Sequence, residues 1–349
     1  MTDAASRPAP PAPPVPLSRV QADAVRRGAL PPVEEIRHGV WSVAFAFGDG
    51  IDDHSLGYVV EGSDGALTVI DPGWHVDDNL DRLERALSDV DHSLADVDLI
   101  AVTHLHADHL GGAEALRRAS GARIALHAAE QAALADRPAD AAAADADIAR
   151  WGAPADEQEA LVASWGSGRH LPEVTADLLL ADGDVLPIAG RKLRAVHTPG
   201  HTAGHLCFVE PEQRLVFTGD HVLPRINPGI GLGGRTPTNP LTDYLASLER
   251  MVAVDVPGPD AFEVCPGHEY RFTGLRERAE SLIAHRTDRS RDAATALDAL
   301  DRPTVWQVAE RMSWSGGVAS LHGYRLGSAL AQTEWHVQAL GRGDELRPA

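Results

Sequence analysis

Cysteine is nearly absent: Cys207 and Cys265 are the two in 349 residues. Two thiols so far apart build no disulfide framework, which points to a reducing compartment and ordinary buried thiols. Lysine is rarer still, Lys192 being the single one among 31 basic residues. Against 51 acidic residues this leaves a formal net charge of −20. That balance counts against nucleic acid as a partner, since nonspecific binding needs a positive footprint. Long apolar runs are missing too. None approaches the roughly 20 residues of a membrane span. The start, MTDAASRPAPPAPPVPLSRV, lacks a basic stretch followed by an apolar block, so no secretory signal is read there. A cytoplasmic chain with no membrane partner is the expectation.

What is present is enough apolar sequence, 44% of residues, for a sizeable core. Residues 1–30 begin Pro- and Ala-rich and are expected to be disordered. From 31 onward short apolar runs such as GVWSVAFAFG, SLGYVVEG and ALTVIDPG read as strands punctuated by Gly, Asp and Pro. Val76, Leu80, Leu83 and Leu87 recur at helical spacing. DVDLIAVTH reads as a buried strand, and HLGGAEALRRASG as a helix closing on Gly121. Alternating strands and helices predict a layered α/β core. The Ala-rich stretch over about 128–170 breaks the rhythm and reads as a helical insertion. A Gly/Pro/Asn-rich loop spans 224–240, long enough to suggest a functional role. From 273 to 349 the pattern is helical, which places a domain boundary near 273.

The chemistry concentrates at strand ends. VTHLHADHLGG presents His104, His106, Asp108 and His109 within six positions. Side chains alternate along an extended segment, so His104 and His106 point the same way and both can reach one ion. Asp108 and His109 follow in the turn and can reach a second. VHTPGHTAGHL offers His197, His201 and His205; VFTGDHVLP offers Asp220 and His221; VCPGHEY offers His268. Imidazole and carboxylate are the ligands of borderline divalent metals such as zinc. Four strand ends carrying such groups at one sheet edge is where open α/β folds place their sites.

HLHADH followed by TPGHTAGH, FTGDH and PGHEY resembles the metallo-β-lactamase-fold hydrolase superfamily, over about residues 31–272. The resemblance implies a four-layer αββα sandwich with metals at one edge. It implies His104, His106 and His201 on a first metal, Asp108, His109 and His268 on a second, and Asp220 bridging the two. His205 matches a packing position, and Asp71 in VIDPG one that supports the ligands from behind. The implied cofactor is two zinc ions per chain, with iron or manganese as other occupants. Two such ions lower the pKa of a shared water toward about 7, and Asp108 orients that nucleophile. His221, Tyr270, Arg225 and Arg235 are candidates for binding substrate.

The motifs are most like those of glyoxalase II, which favours a small-molecule thioester, lactone or related acyl substrate. The tail departs from glyoxalase II. It resembles the small helical, winged-helix-like tail shared by β-lactamase-like endoribonucleases and acyl-carrier thioesterases. A metal-dependent endoribonuclease and a mononuclear iron persulfide dioxygenase are the alternatives, and a homodimer is left open.

Overall fold

The computed structural model describes residues 13–47, 54–165, 173–234, 236–255, 258, 261–314 and 316–349. Seven strands lie in chain order in one sheet: β1 (Glu34–Arg37), β2 (Val40–Ala46), β3 (His54–Glu61), β4 (Leu67–Ile70), β5 (Val97–Ala101), β6 (Arg123–His127) and β7 (Leu178–Leu180). The first four pair antiparallel and the last four parallel. Four more strands form a second sheet in the order β11-β10-β9-β8: β8 (Arg194–His197), β9 (Leu206–Glu210), β10 (Leu215–Gly219) and β11 (Glu263–Pro266).

Three apolar layers follow from this. Val43, Phe45, Val59 and Ile100 face Leu83 and Leu87 of α2 (Asp77–Ser88) and Leu116 of α4 (Ala113–Ser120). Leu56, Tyr58, Val60 and Ile70 meet Leu206, Phe208, Leu215 and Phe217 between the sheets. Val209, Val216 and Val264 pack on Leu248 of α7 (Pro240–Val254) and on Ala279 and Leu282 of α8 (Leu275–Asp298). The order helix, sheet, sheet, helix is the αββα sandwich. Because both faces of each sheet are covered, strands such as VWSVAFA read as apolar runs rather than a clean alternation. Emptying the middle layer at Phe217, which is 1% exposed, is expected to destabilise by about 3–5 kcal/mol.

The N-terminal segment departs from the expectation of disorder over its described part. Arg19–Arg27 form helix α1, capped by Ser18, whose side chain accepts from Gln21 N, and ended by Gly28 at φ 60°. Gln21 is buried and ties α1 to the core, donating to Ser42 Oγ at 3.1 Å and accepting from Arg271 N at 3.0 Å. A serine cap and a glycine stop are both present in the sequence, but the Pro/Ala-rich start masks them.

The described part of the insertion holds two helices, α5 (Ala128–Trp151) and α6 (Ala155–Ser164). The tail continues from α8 into α9 (Val305–Ala309) and α10 (Gly323–Ala339), with no strand among its described residues, so the winged-helix likeness lacks a wing there. Insertion and tail share one core, Ile148, Trp151 and Leu161 meeting Val305, Leu326 and Leu330. No helix among the described residues is long and apolar enough to cross a membrane.

Candidate metal centre

Strand β4 delivers Asp71 to the sheet edge in a left-handed backbone conformation, φ 54°, unusual for a residue other than glycine and typical of functional sites. There its carboxylate accepts three bonds: from Thr103 N at 2.8 Å, Thr103 Oγ1 at 2.7 Å and His109 Nδ1 at 2.8 Å. Thr103 Oγ1, its proton spent on Asp71, accepts from His104 Nδ1 at 3.0 Å. One carboxylate thus orients two rings of the motif that follows β5.

The other rings are held in the same manner. His106 Nε2 lies 3.0 Å from Leu232 O, His201 Nδ1 2.7 Å from Gly229 O, and His268 Nδ1 3.1 Å from His54 O. A carbonyl only accepts, so each of these nitrogens carries the proton. The opposite nitrogen of every ring is then an unprotonated donor when the imidazole is neutral. These inner nitrogens converge. His106 Nδ1 is 2.9 Å from His104 Nε2 and 3.1 Å from His201 Nε2. His268 Nε2 is 3.2 Å from both Asp108 Oδ2 and Asp220 Oδ1. His109 Nε2 is 3.4 Å from Asp108 Oδ2 and 3.5 Å from Asp220 Oδ1. Asp220 turns its other oxygen, Oδ2, toward His201 Nε2 at 3.8 Å.

Two donor groups therefore meet at Asp220. His104, His106 and His201 form one, Asp108, His109 and His268 the other, each within 4.8 Å. His109 Nε2 and Asp220 Oδ1 are buried without a hydrogen bond. Buried polar atoms left so are expensive unless an ion takes the place of a donor. Rings turned lone pair to lone pair, with their outer nitrogens anchored, suit divalent metal ligation. Glycine is needed at 267, where a Cβ would lie 2.6 Å from Asp220 Oδ1 and from the His109 ring.

The electrostatics differ between the groups. Burial, with His109 and His106 nearby, holds His104 well below the usual imidazole range, and burial pushes His201 down to about 4. Burial opposes the charged form of His109 and His268 too, but Asp108 and Asp220 overcome it and raise both rings. Burial alone would raise the Asp108 carboxyl; His109 and His268 hold it below the usual range instead.

His205 is no part of either group. Its Nδ1 lies 2.9 Å from Thr198 Oγ1, and its Nε2 accepts from Asp220 N at 3.2 Å, so it holds the backbone that carries Asp220. The candidate substrate-binding residues lie elsewhere. His221 is fully buried with its ring 5.1 Å from that of Tyr244. Tyr270 is buried in the α7/α8 layer. Arg225 faces Glu269 at 3.5 Å. Arg235 lies outside the described residues.

Two supports were not anticipated. Glu130, in the first turn of α5, is buried and accepts from Leu105 N at 2.8 Å and from Gly204 N. It pins the loop between His104 and His106 to the loop between His201 and His205. Burial raises it to about 7 despite those two bonds. The tail supplies the other support. Arg278 donates to Leu223 O and Ile226 O, both at 2.7 Å, and Arg286 to Pro228 O. Next in the chain come Gly229 and Leu232, whose carbonyls orient His201 and His106. Gly231 sits at φ 64°, and a Cβ there would come within 2.1 Å of the Trp335 ring of α10. The 224–240 loop stands out in the sequence by its composition; the arginines that hold it do not, since nothing local marks them.

A groove of about 740 Å³ opens beside His106, walled by α5, α6, the 231–238 loop and α10. A family model of the metallo-beta-lactamase superfamily matches residues 50–268. The chain belongs to this superfamily. Within it, the chain is 31% identical to a hydroxyacylglutathione hydrolase of Cereibacter sphaeroides over 177 residues, 51% of this chain and 50% of the relative. It is 29% identical to an acyl-coenzyme A thioesterase of Bos taurus over 179 residues, 51% of this chain and 58% of the relative. The chain thus spans about half the length of these curated relatives. A metallo-beta-lactamase family protein of Thermus thermophilus shares the fold at a TM-score of 0.69 and 27% identity, over 89% of this chain and 95% of the other. That overlap is wider than residues 31–272 alone supply, so it takes in part of the chain beyond the sandwich.

Proposed function

We propose that this chain is a dinuclear metal-dependent hydrolase of acyl thioesters, with residues 31–272 as its catalytic unit. The meeting of two donor groups at Asp220 carries the reading. His104, His106 and His201 would hold one ion, Asp108, His109 and His268 the other, and Asp220 both; zinc suits a set of five imidazoles and two carboxylates. When bound, divalent ions supply Lewis acidity, lowering the pKa of water from about 16 toward about 7 and offsetting negative charge in the transition state. The chain's own part is positioning. Asp71 keeps His104 and His109 in the tautomers that leave Nε2 free. Asp108, kept ionised by its two histidines, offers a carboxylate to orient an attacking water. The 229–232 carbonyls fix His106 and His201 beside the groove where an acyl group enters.

The relatives named as a hydroxyacylglutathione hydrolase and an acyl-coenzyme A thioesterase support a thioester substrate. The reading extends to a reducing cytoplasmic setting, in keeping with Cys207 and Cys265 as buried free thiols. Elemental analysis of chelator-free protein tests the centre, and a thioester panel tests the reaction. About two zinc ions per chain with turnover of thioesters is the expected result. One iron and no zinc, or metal-replete protein inert toward every thioester, overturns it.

A further inference from the structure

The groove beside His106 has walls of an unusual kind for so acidic a chain. Trp151, Trp165, Tyr324 and Trp335 line it, with Leu105 and Leu232 at the inner end next to His106. The Trp151 and Trp165 rings lie 6.2 Å apart, and those of Trp165 and Tyr324 5.5 Å. Arg150, Asp147 and Glu334 on the same wall are engaged with one another. Arg150 donates to Asp147 at 2.9 Å and to Glu334 at 2.8 Å, and Trp151 Nε1 donates to the same Glu334 oxygen at 2.9 Å. With Arg137, which also lines the groove, the two arginines match Asp147 and Glu334 in formal charge, which leaves aromatic and aliphatic surface as the recognition element. The groove's 740 Å³ falls within the range of about 300–1,000 Å³ that encloses a drug-sized ligand. A two- or three-carbon acyl group would leave most of it wet.

We infer that this groove is the acyl subsite, and that the substrate carries a long apolar acyl chain of about eight carbons or more, lying between the insertion and the tail with its thioester carbonyl at His106. The inference rests on the thioesterase reading and adds the substrate class. It also gives α6 and α10 a function: they are the two sides of the subsite. Neither belongs to the sandwich, so the selectivity is built outside the catalytic fold.

The test is a series of pantetheine thioesters from acetyl through butyryl and octanoyl to dodecanoyl. Each buried methylene is worth about fourfold, so kcat/KM is expected to climb by at least about tenfold from butyryl to octanoyl. Ala163 is exposed on α6 and lines the groove, so Ala163→Trp narrows it without disturbing a core. The variant is expected to lower the dodecanoyl-to-acetyl ratio of kcat/KM by at least about tenfold; a merely structural defect would lower both and leave the ratio alone. In parallel, a non-hydrolysable dodecanoyl thioether of pantetheine is titrated against intrinsic tryptophan fluorescence, since three tryptophans border the groove. Quenching by the thioether that Ala163→Trp weakens, without any thioester turnover, keeps the subsite and removes the thioesterase reading. Turnover with a flat chain-length profile and an unchanged ratio in the variant overturns the subsite and keeps that reading.

Discussion

Both donor groups contain histidines and treat them in opposite ways. In the His104, His106 and His201 group the only carboxylate within ion-pair distance among the described residues is Asp220, 3.8 Å from His201. Burial dominates and lowers all three rings below the usual imidazole range. In the other group His109 and His268 each lie within 3.5 Å of two carboxylates, and the same burial is outweighed by negative charge. At comparable burial, the carboxylate neighbours decide whether an imidazole becomes less or more basic than usual. One half of the centre is ready for a cation at mildly acidic pH, and the other must first give up protons to receive one.

Breaking the neutral half is expected to have the largest effect. His106→Ala removes the nitrogen closest to both other rings of its group. Activity should fall by about 100-fold or more, in keeping with loss of a direct ligand, and elemental analysis should find most of the metal gone while circular dichroism is unchanged. A metal-replete, active variant would refute the assignment. Loosening that half from a distance should cost less. Arg286→Met frees Pro228 O and lets the 229–232 carbonyls drift, for an expected loss of about tenfold in metal affinity. Competition with a chromophoric chelator measures it; unchanged affinity would mean that the tail does not hold the loop.

Acid should separate the two halves. His109 and His268 have raised values, so metal on their side competes with protons and is expected to leave first as pH falls. The His104, His106 and His201 rings bind protons only at lower pH, His201 at about 4. Dialysis at stepwise lower pH, followed by metal analysis, should show loss in two stages; a single stage would remove the distinction. In the metal-free chain the signs are opposite as well. The raised rings contribute stability that is present below the unfolded value of about 6.5 and is lost as pH rises through their folded values. The lowered rings contribute stability that is present above about 6.5 and is lost on acidification toward about 4 for His201.

The smallest effect is expected at Glu130, which serves both loops. Its raised value means that the folded state holds the proton more tightly, so stability falls as pH rises from the ordinary 4.5 toward about 7. Glu130→Gln cannot titrate, and its amide cannot accept from both Leu105 N and Gly204 N. It should lower stability by about 1–3 kcal/mol and remove that slope. Thermal melts of the two proteins across this range decide it, and parallel curves would place Glu130 outside the linkage.

Much of this centre is legible in the order of residues along the chain. The donors stand in four short motifs, each at the end of an apolar run, and alternation along an extended chain already turns His104 and His106 to one side. Glycine and proline mark the turns that stop the strands, and the helical spacing of Leu80, Leu83 and Leu87 marks the layer behind them. The supports are illegible for a common reason. Glu130 acts on Leu105 and Gly204, 25 and 74 residues away in the chain. Arg286 acts on Pro228, 58 residues away. No local pattern records a contact at that range. Tyr270 and His221 are buried among packed aromatic and apolar side chains, which adjacency to a candidate donor in the sequence does not reveal.

The amino-acid sequence by itself determined which histidines and aspartates are candidate donors and the strand ends that bear them, because both depend on residue type and on periodicities of a few residues. Tertiary structure alone decided which lone pairs meet and which rings hold protons. It also decided that a distant insertion and tail wall the groove. Those outcomes depend on burial, on the charges of side chains brought from other strands, and on carbonyls that any residue could have supplied.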